Sequence, residues 1–144
     1  FLGMLFLISC SLFTSFIYAY VVIELKFEQD VFDWGAFWGS FLGLFFLAAL
    51  FSSITLWCSC FSKNQVVAFL AAVLLCFLHF YCWGEASLYF SDNTVYSFFN
   101  AVGISSHFNQ MSKGIIDSKD LIYFAGQLFL FLFLAVNQLQ KLKR

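Results

Sequence analysis

Long uncharged runs, broken by short clusters of charge, set the pattern of this chain. Residues 1–23, 34–62, 64–84 and 121–140 contain no Asp, Glu, Lys or Arg, and stretches such as LFFLAALF and VVAFLAAVLLCFL are apolar at every position. Each run reaches the roughly 20 residues that a helix needs to cross the hydrocarbon core of a bilayer. A transmembrane barrel would instead show segments of about ten residues in which apolar and polar side chains alternate. A helix also satisfies its own backbone where no water can. The pattern predicts an all-α polytopic membrane protein with four transmembrane helices, over about 1–23, 34–60, 64–83 and 120–140.

The segment 84–119, ahead of the last span, is too long for a structureless connection in a compact protein. Val95, Phe98, Phe99 and Val102 follow i, i+3, i+4, i+7 spacing, and Phe108, Met111 and Ile115 continue it after a break at Gly103 and Ile104. Ser105 or Ser106 is placed to cap a second short helix and Gly114 to end it. The expectation is two short interfacial or re-entrant helices before the last span. Asp117 then caps that span, with Asp120 in its first turn against the positive end of the helix dipole. His107 lies in this segment with no obvious acid or nucleophile partner at hand.

Charge adds an orientation. The turn FSKN holds Lys63 and no acid, and the tail holds Lys141, Lys143 and Arg144 and no acid. The connection ELKFEQDVFD has Glu24, Glu28, Asp30 and Asp33 against Lys26, and 84–119 has Glu85, Asp92 and Asp117 against Lys113 and Lys119. Strict alternation of spans collects both basic pieces on one side, and the positive-inside rule makes that side, with the C-terminus, cytoplasmic. Composition agrees with a membrane setting: 10% of the 144 residues are charged, against about 25% in an ordinary soluble domain. A net charge of −1 gives no reason to expect nucleic-acid binding. The chain opens on Phe1 inside an apolar run, without a start methionine or a basic leader. It therefore reads as the C-terminal portion of a longer protein.

Small and polar residues mark the contacts between spans. Gly35, Gly39 and Gly43 recur at four-residue spacing in DWGAFWGSFLG, with Ser40 beside them and Asp33 able to cap the helix. In lipid such a stripe lets backbones approach closely. The tight FSKN turn presses this helix against the next span, so Ala68, Ala71 and Ala72 are the expected partners, in preference to a subunit interface. Ser11, Ser15, Tyr18 and Val22 share one face of the first span, with Thr14 nearby. That face either lines a polar pathway or makes interhelical hydrogen bonds, and the second reading is favoured. Trp34, Trp38, Tyr81, Trp83 and Tyr89 fall near outer boundaries, as an interfacial belt should.

Motifs for chemistry are sparse. There is no G-x-x-x-x-G-K-[ST] phosphate loop, no G-x-S-x-G elbow and no H-E-x-x-H pair. The chain is therefore not expected to be an enzyme or to carry a cofactor. Cys76, His79 and Cys82 stand at i, i+3, i+6 on the third span, a spacing that supplies part of a soft-metal site but needs ligands from elsewhere. Packing is the preferred reading for these cysteines, and so is a neutral, hydrogen-bonded role for His79.

Three stretches together resemble a known family. They are the Gly-Ser-x-x-Gly-Leu helix returning through KNQ, the outer GISSHFNQMSKGIIDSKDLIYF, and a last span closing in a basic tail. Their order is similar to the C-terminal portion of an ABC-2 type transporter permease, closest to the permease subunit associated with gliding motility, over about residue 14 to the end. The resemblance implies a six-span permease of which this chain supplies the last four spans. It implies a separate ATPase subunit, a second permease subunit in a homo- or heterodimer, and residence in the bacterial inner membrane. It also implies short re-entrant helices in the outer segment, where Gly103, His107, Gly114 and Asp117 lie. The family's main cytoplasmic coupling segment precedes the residues present here, which leaves Lys63 and Asn64 as an inner turn that either meets the ATPase or merely orients the hairpin, the second reading being favoured. The substrate is not specified. A membrane scaffold for surface machinery, without transport, is the alternative role, and an intramembrane enzyme built on His79 ranks below both.

Overall fold

The computed structural model describes residues 1–25, 32–89 and 93–143. Lys26, Glu28, Asp30, Asp92 and Arg144 lie outside the described residues, as do the side chains of Glu85, Tyr89, Val95, Phe98, Phe99 and Lys143. The helices are α1 (Leu2–Leu25), α2 (Trp34–Ser59), α3 (Gln65–Tyr89), α4 (Asn93–Val102), α5 (Ile104–Ser112) and α6 (Ser118–Lys143), and no strand occurs among the described residues. Four of them, α1, α2, α3 through Trp83, and α6 through Lys141, are long and apolar enough to cross a membrane. They coincide with the uncharged runs.

Polar residues at the ends start and stop these helices. The Asp33 carboxylate accepts the Ala36 N–H at 3.0 Å to cap α2. Asn64 Oδ1 accepts the Val66 N–H at 3.0 Å at the start of α3. Asp117 Oδ1 accepts the Lys119 N–H at 3.2 Å at the start of α6. Each cap satisfies a donor that the first helical turn leaves without a partner. At the other end of α2, the N–H groups of Cys60 and Phe61 return to the carbonyls of Trp57 and Cys58.

Helix α2 is the hub, in contact with α1, α3, α5 and α6. Leu50, Ile54 and Cys58 of α2 join Ala72 of α3, Ile104 and Met111 of α5, and Phe124 and Phe131 of α6 in one buried cluster. Phe46 stacks on Phe124 at 6.2 Å and Trp57 meets Phe131 at 5.7 Å, so α2 and α6 run parallel. Helix α1 touches only α2 among the described elements. The contact is aromatic, with Phe16 at 5.1–5.7 Å from Phe37, Trp38 and Phe41. Its hydroxyls do not bond across to α2: Thr14 donates to the Cys10 carbonyl and Ser15 to that of Leu12, both within α1. The expected interhelical bonds are replaced by the local bonding open to Ser and Thr in any helix. Ser15, Tyr18 and Val22 still face α2, lining a cleft of about 300 Å³ with Phe37 and Ser40.

The glycine stripe receives a partner other than the one expected. A Cβ on Gly39 would collide with the Met111 carbonyl and lie 2.9 Å from the Gly114 Cα, and one on Gly43 would sit 3.3 Å from the Phe108 ring. A Cβ on Gly114 would lie 2.7 Å from the Gly35 carbonyl carbon. The groove of α2 therefore holds the end of α5 and its turn, with Ser40 Oγ donating to the Ser112 carbonyl at 3.2 Å. Ala68 and Ala72 are buried further along, Ala72 in the cluster with Leu50, Ile54 and Cys58, while Ala71 is exposed. Antiparallel register explains the correction. With the turn near residue 62, Ala72 lies level with residue 52, about 20 Å along the axis from Gly39 at 1.5 Å per residue. The stripe is an intrachain contact, but with the α4–α5 hairpin.

Gly39→Ala should lower stability by about 1–3 kcal/mol through overpacking, read as reduced folded yield and a lower melting temperature in detergent. Gly126→Ala, where an added Cβ meets nothing within 4 Å, is the matched control. It should be neutral or stabilising by up to about 1 kcal/mol.

Candidate functional site

The α4–α5 hairpin is built from backbone rules first. Helix α4 ends at Val102, and Gly103 in extended conformation (φ −72°, ψ 122°) leads directly into α5. This one-residue joint leaves no position for the expected serine cap. Gly103 itself stands at the cap without a side-chain hydrogen bond, and Ser106 donates back to the Gly103 carbonyl at 2.6 Å. Helix α5 stops as expected at Gly114, whose φ of +80° is the left-handed conformation that favours glycine. The Gly114 N–H reaches the Met111 carbonyl (2.9 Å) and the Ile115 N–H that of Gln110 (3.3 Å). These two bonds define a Schellman termination.

That turn returns the chain so that α6 starts beside α5. His107 of α5 then meets Asp120 of α6, Nδ1 to Oδ1 at 2.5 Å. The other ring nitrogen, Nε2, lies 2.9 Å from the Ala101 carbonyl. The imidazole stacks on Tyr123 with centroids 4.2 Å apart and planes 20° from parallel. Tyr123 in turn donates its hydroxyl hydrogen to the Val102 carbonyl at 2.5 Å. Ala101 and Val102 are the last residues of α4, where carbonyls have no partner within their own helix. Side chains from α5 and α6 thus close the end of α4.

Proton positions follow from the acceptors. A carbonyl only accepts, so Nε2 carries a hydrogen, and one further proton is shared between Nδ1 and the carboxylate. The pair is neutral as a whole wherever that proton rests. Asp120 is 1% exposed, and its Oδ2 is buried without a hydrogen-bond partner among the described residues. Because Nε2 is engaged by Ala101, the ring has no free nitrogen with which to activate a nucleophile. The arrangement is suited to fastening three helices together.

The expected site residues therefore divide. Gly103, His107, Gly114 and Asp117 all belong to the hairpin and its return, and the reading of His107 as partnerless is corrected by Asp120. The sequence points to Asp120 only as a first-turn acid against the helix dipole and gives no role to Tyr123. The pairing of the first with His107 and of the second with Val102 comes from the structure. A sequence signal existed for the first: Asp117 already caps α6, so a second acid inside the first apolar turn calls for a partner. Lys63 and Asn64 sit at the opposite end of the bundle. Lys63 is exposed, whereas the Asn64 carboxamide is engaged in capping α3. His79 packs edge-on against Phe131 at 5.8 Å beside Gln127 of α6, yet its buried Nε2 makes no hydrogen bond among the described residues. No group of three His, Cys, Asp or Glu side chains able to hold a metal occurs among the described residues, Cys76, His79 and Cys82 included. No family model, curated protein or solved structure matches the chain.

A double-mutant cycle tests the fastening. His107→Leu strands a buried carboxylate and should cost about 3–5 kcal/mol. Asp120→Leu should cost less, because a neutral imidazole can still donate to Ala101. The double variant should fall short of the sum by about 1 kcal/mol or more, measured by denaturant unfolding in micelles. Strict additivity would show that the two side chains do not act as a pair.

Proposed function

We propose that this chain is the C-terminal part of an ABC-2 type permease subunit, which moves a substrate across the bacterial inner membrane using ATP hydrolysed by a separate subunit. The observation that carries the reading is the hairpin α4–α5, seated against α2 and α3 immediately before the last long helix. This is the element and the position that the resemblance implies for such permeases, and gliding motility is the setting to which the resemblance lies nearest. The lack of a phosphate-binding loop in the sequence fits a subunit that relies on a partner for hydrolysis.

Orientation belongs to the same proposal. Phe1, Lys63 and Leu139 line a common cleft, so the start of α1 and the ends of α2 and α6 share one end of the bundle with the basic residues. By the positive-inside rule that end is cytoplasmic, and the hairpin with its His107–Asp120 pair faces outward. Lys63 is then the exposed inner residue available to an ATPase, and a second permease subunit completes the transporter.

In the intact protein, a P-loop ATPase should co-purify under mild detergent, and substituting that partner's P-loop lysine should abolish transport-dependent surface function. Recovery of the intact protein with no such ATPase would overturn the reading. Surface assembly that survives the lysine substitution unchanged would assign a scaffold role instead. A cysteine placed at Lys63 should react with a membrane-impermeant thiol reagent only after the cells are opened, and one placed at Lys113 in intact, outer-membrane-permeabilised cells.

A further inference from the structure

At the basic end of the bundle, a cleft of about 790 Å³ lies between the end of α2 and the last turns of α6. Its wall is apolar and aromatic: Trp57, Phe61 and Leu134. Trp57 is held edge-on by Phe61 at 5.1 Å and backed by Phe131 at 5.7 Å. Its rim is polar, with Asn137, Gln138 and Gln140 leading to Lys141. The volume falls in the range of roughly 300–1,000 Å³ usual for small-molecule sites.

Two features select the occupant. The first is direction. Apolar wall gives way to amide and then to ammonium along the last two turns of α6, in the sense in which acyl chain gives way to glycerol and headgroup in a lipid leaflet. Trp57 lies in the last turn of α2, and indole rings favour the ends of membrane-spanning helices. The second is uncompensated charge. The sequence holds no acid between residues 34 and 84 or between 121 and 144. The ion pairs among the described residues join His107 to Asp120 and Lys119 to Asp117, leaving Lys141 without a carboxylate. A soluble anion would gain nothing from the aromatic wall, and a zwitterionic lipid would gain little from the lysine.

We infer that this cleft binds one anionic phospholipid, its phosphate held by Lys141 and the neighbouring amides and its upper acyl chain laid along Trp57, Phe61 and Leu134. A lysine near the surface of an anionic leaflet contributes about 1 kcal/mol to lipid attraction, which converts to about fivefold in affinity. The inference does not depend on the transport reading.

The test is native mass spectrometry of the delipidated, detergent-solubilised full-length protein, titrated with phosphatidylglycerol and with phosphatidylcholine of identical acyl chains. Phosphatidylglycerol should be retained preferentially as a single tight adduct. Lys141→Gln, at an exposed position, should weaken that adduct about fivefold without lowering the melting temperature. Lys141→Arg should keep it, and Lys113→Gln, at the opposite end, should leave it unchanged. Inorganic phosphate in excess should not displace it. Equal retention of the two lipids, an unchanged adduct in Lys141→Gln, or displacement by inorganic phosphate would each overturn the assignment.

Discussion

The rest of the structure depends on how closely two backbones approach where α2 passes the end of α5. At Gly39 the space that a Cβ would need is taken by the Met111 carbonyl, and at Gly114 by the backbone of residues 35 and 36. Helices in lipid gain little from burying apolar surface, so intimate contact between small residues and hydrogen bonds across helices hold them together. The approach brings Ser40 within reach of the Ser112 carbonyl. It also fixes the direction in which the chain leaves α5, and so where α6 begins. Without the stripe, α5 would stand further from α2 and the start of α6 would shift with it.

Polar groups at the hairpin end of the bundle follow one logic: they close backbone groups that helix ends leave open. Helices α4 and α5 have ten and nine residues, below the length at which an isolated helix holds its form in water. Their stability comes from neighbours. His107 and Tyr123 close the end of α4, the Schellman turn closes the end of α5, and Asp117 closes the start of α6. The buried Asp120 is tolerable because the imidazole shares a proton with it, so no net charge is left in the pair. A carboxylate on its own at that depth would be costly.

Much of this was legible in the sequence and some was not, for definite reasons. The spans could be read because charge is excluded from hydrocarbon and glycine or acid marks the ends of helices. Asp33, Gly114 and Asp117 do what their residue types suggest. Residue type alone pairs the glycines with the alanines of α3, but counting back from the turn at Lys63 sets them apart. Register alone separates Ala72 from Gly39. His107 has no visible partner in the sequence because Asp120 lies thirteen residues away beyond a change of direction. Helical periodicity is silent about such a contact, although the redundant acid at the start of α6 marks it. The cleft beside Lys141 joins residues far apart in the sequence, Trp57 and Phe61 with Leu134 to Lys141, which no local pattern encodes.

The closure of α4 by Tyr123 and, through His107, by Asp120 also bears on biogenesis. The hairpin leaves the ribosome before the residues that fasten it, since both lie in the final helix. Until that helix enters the bilayer, the carbonyls at the end of α4 lack their tyrosine and the imidazole lacks its carboxylate. A chain halted before α6 would carry the glycine groove and the hairpin but not the clasp, with the His107 imidazole and the Val102 carbonyl lacking these partners. The clasp is thus completed only when α6 arrives beside the hairpin, so the order of synthesis sets the order in which these polar groups find their partners.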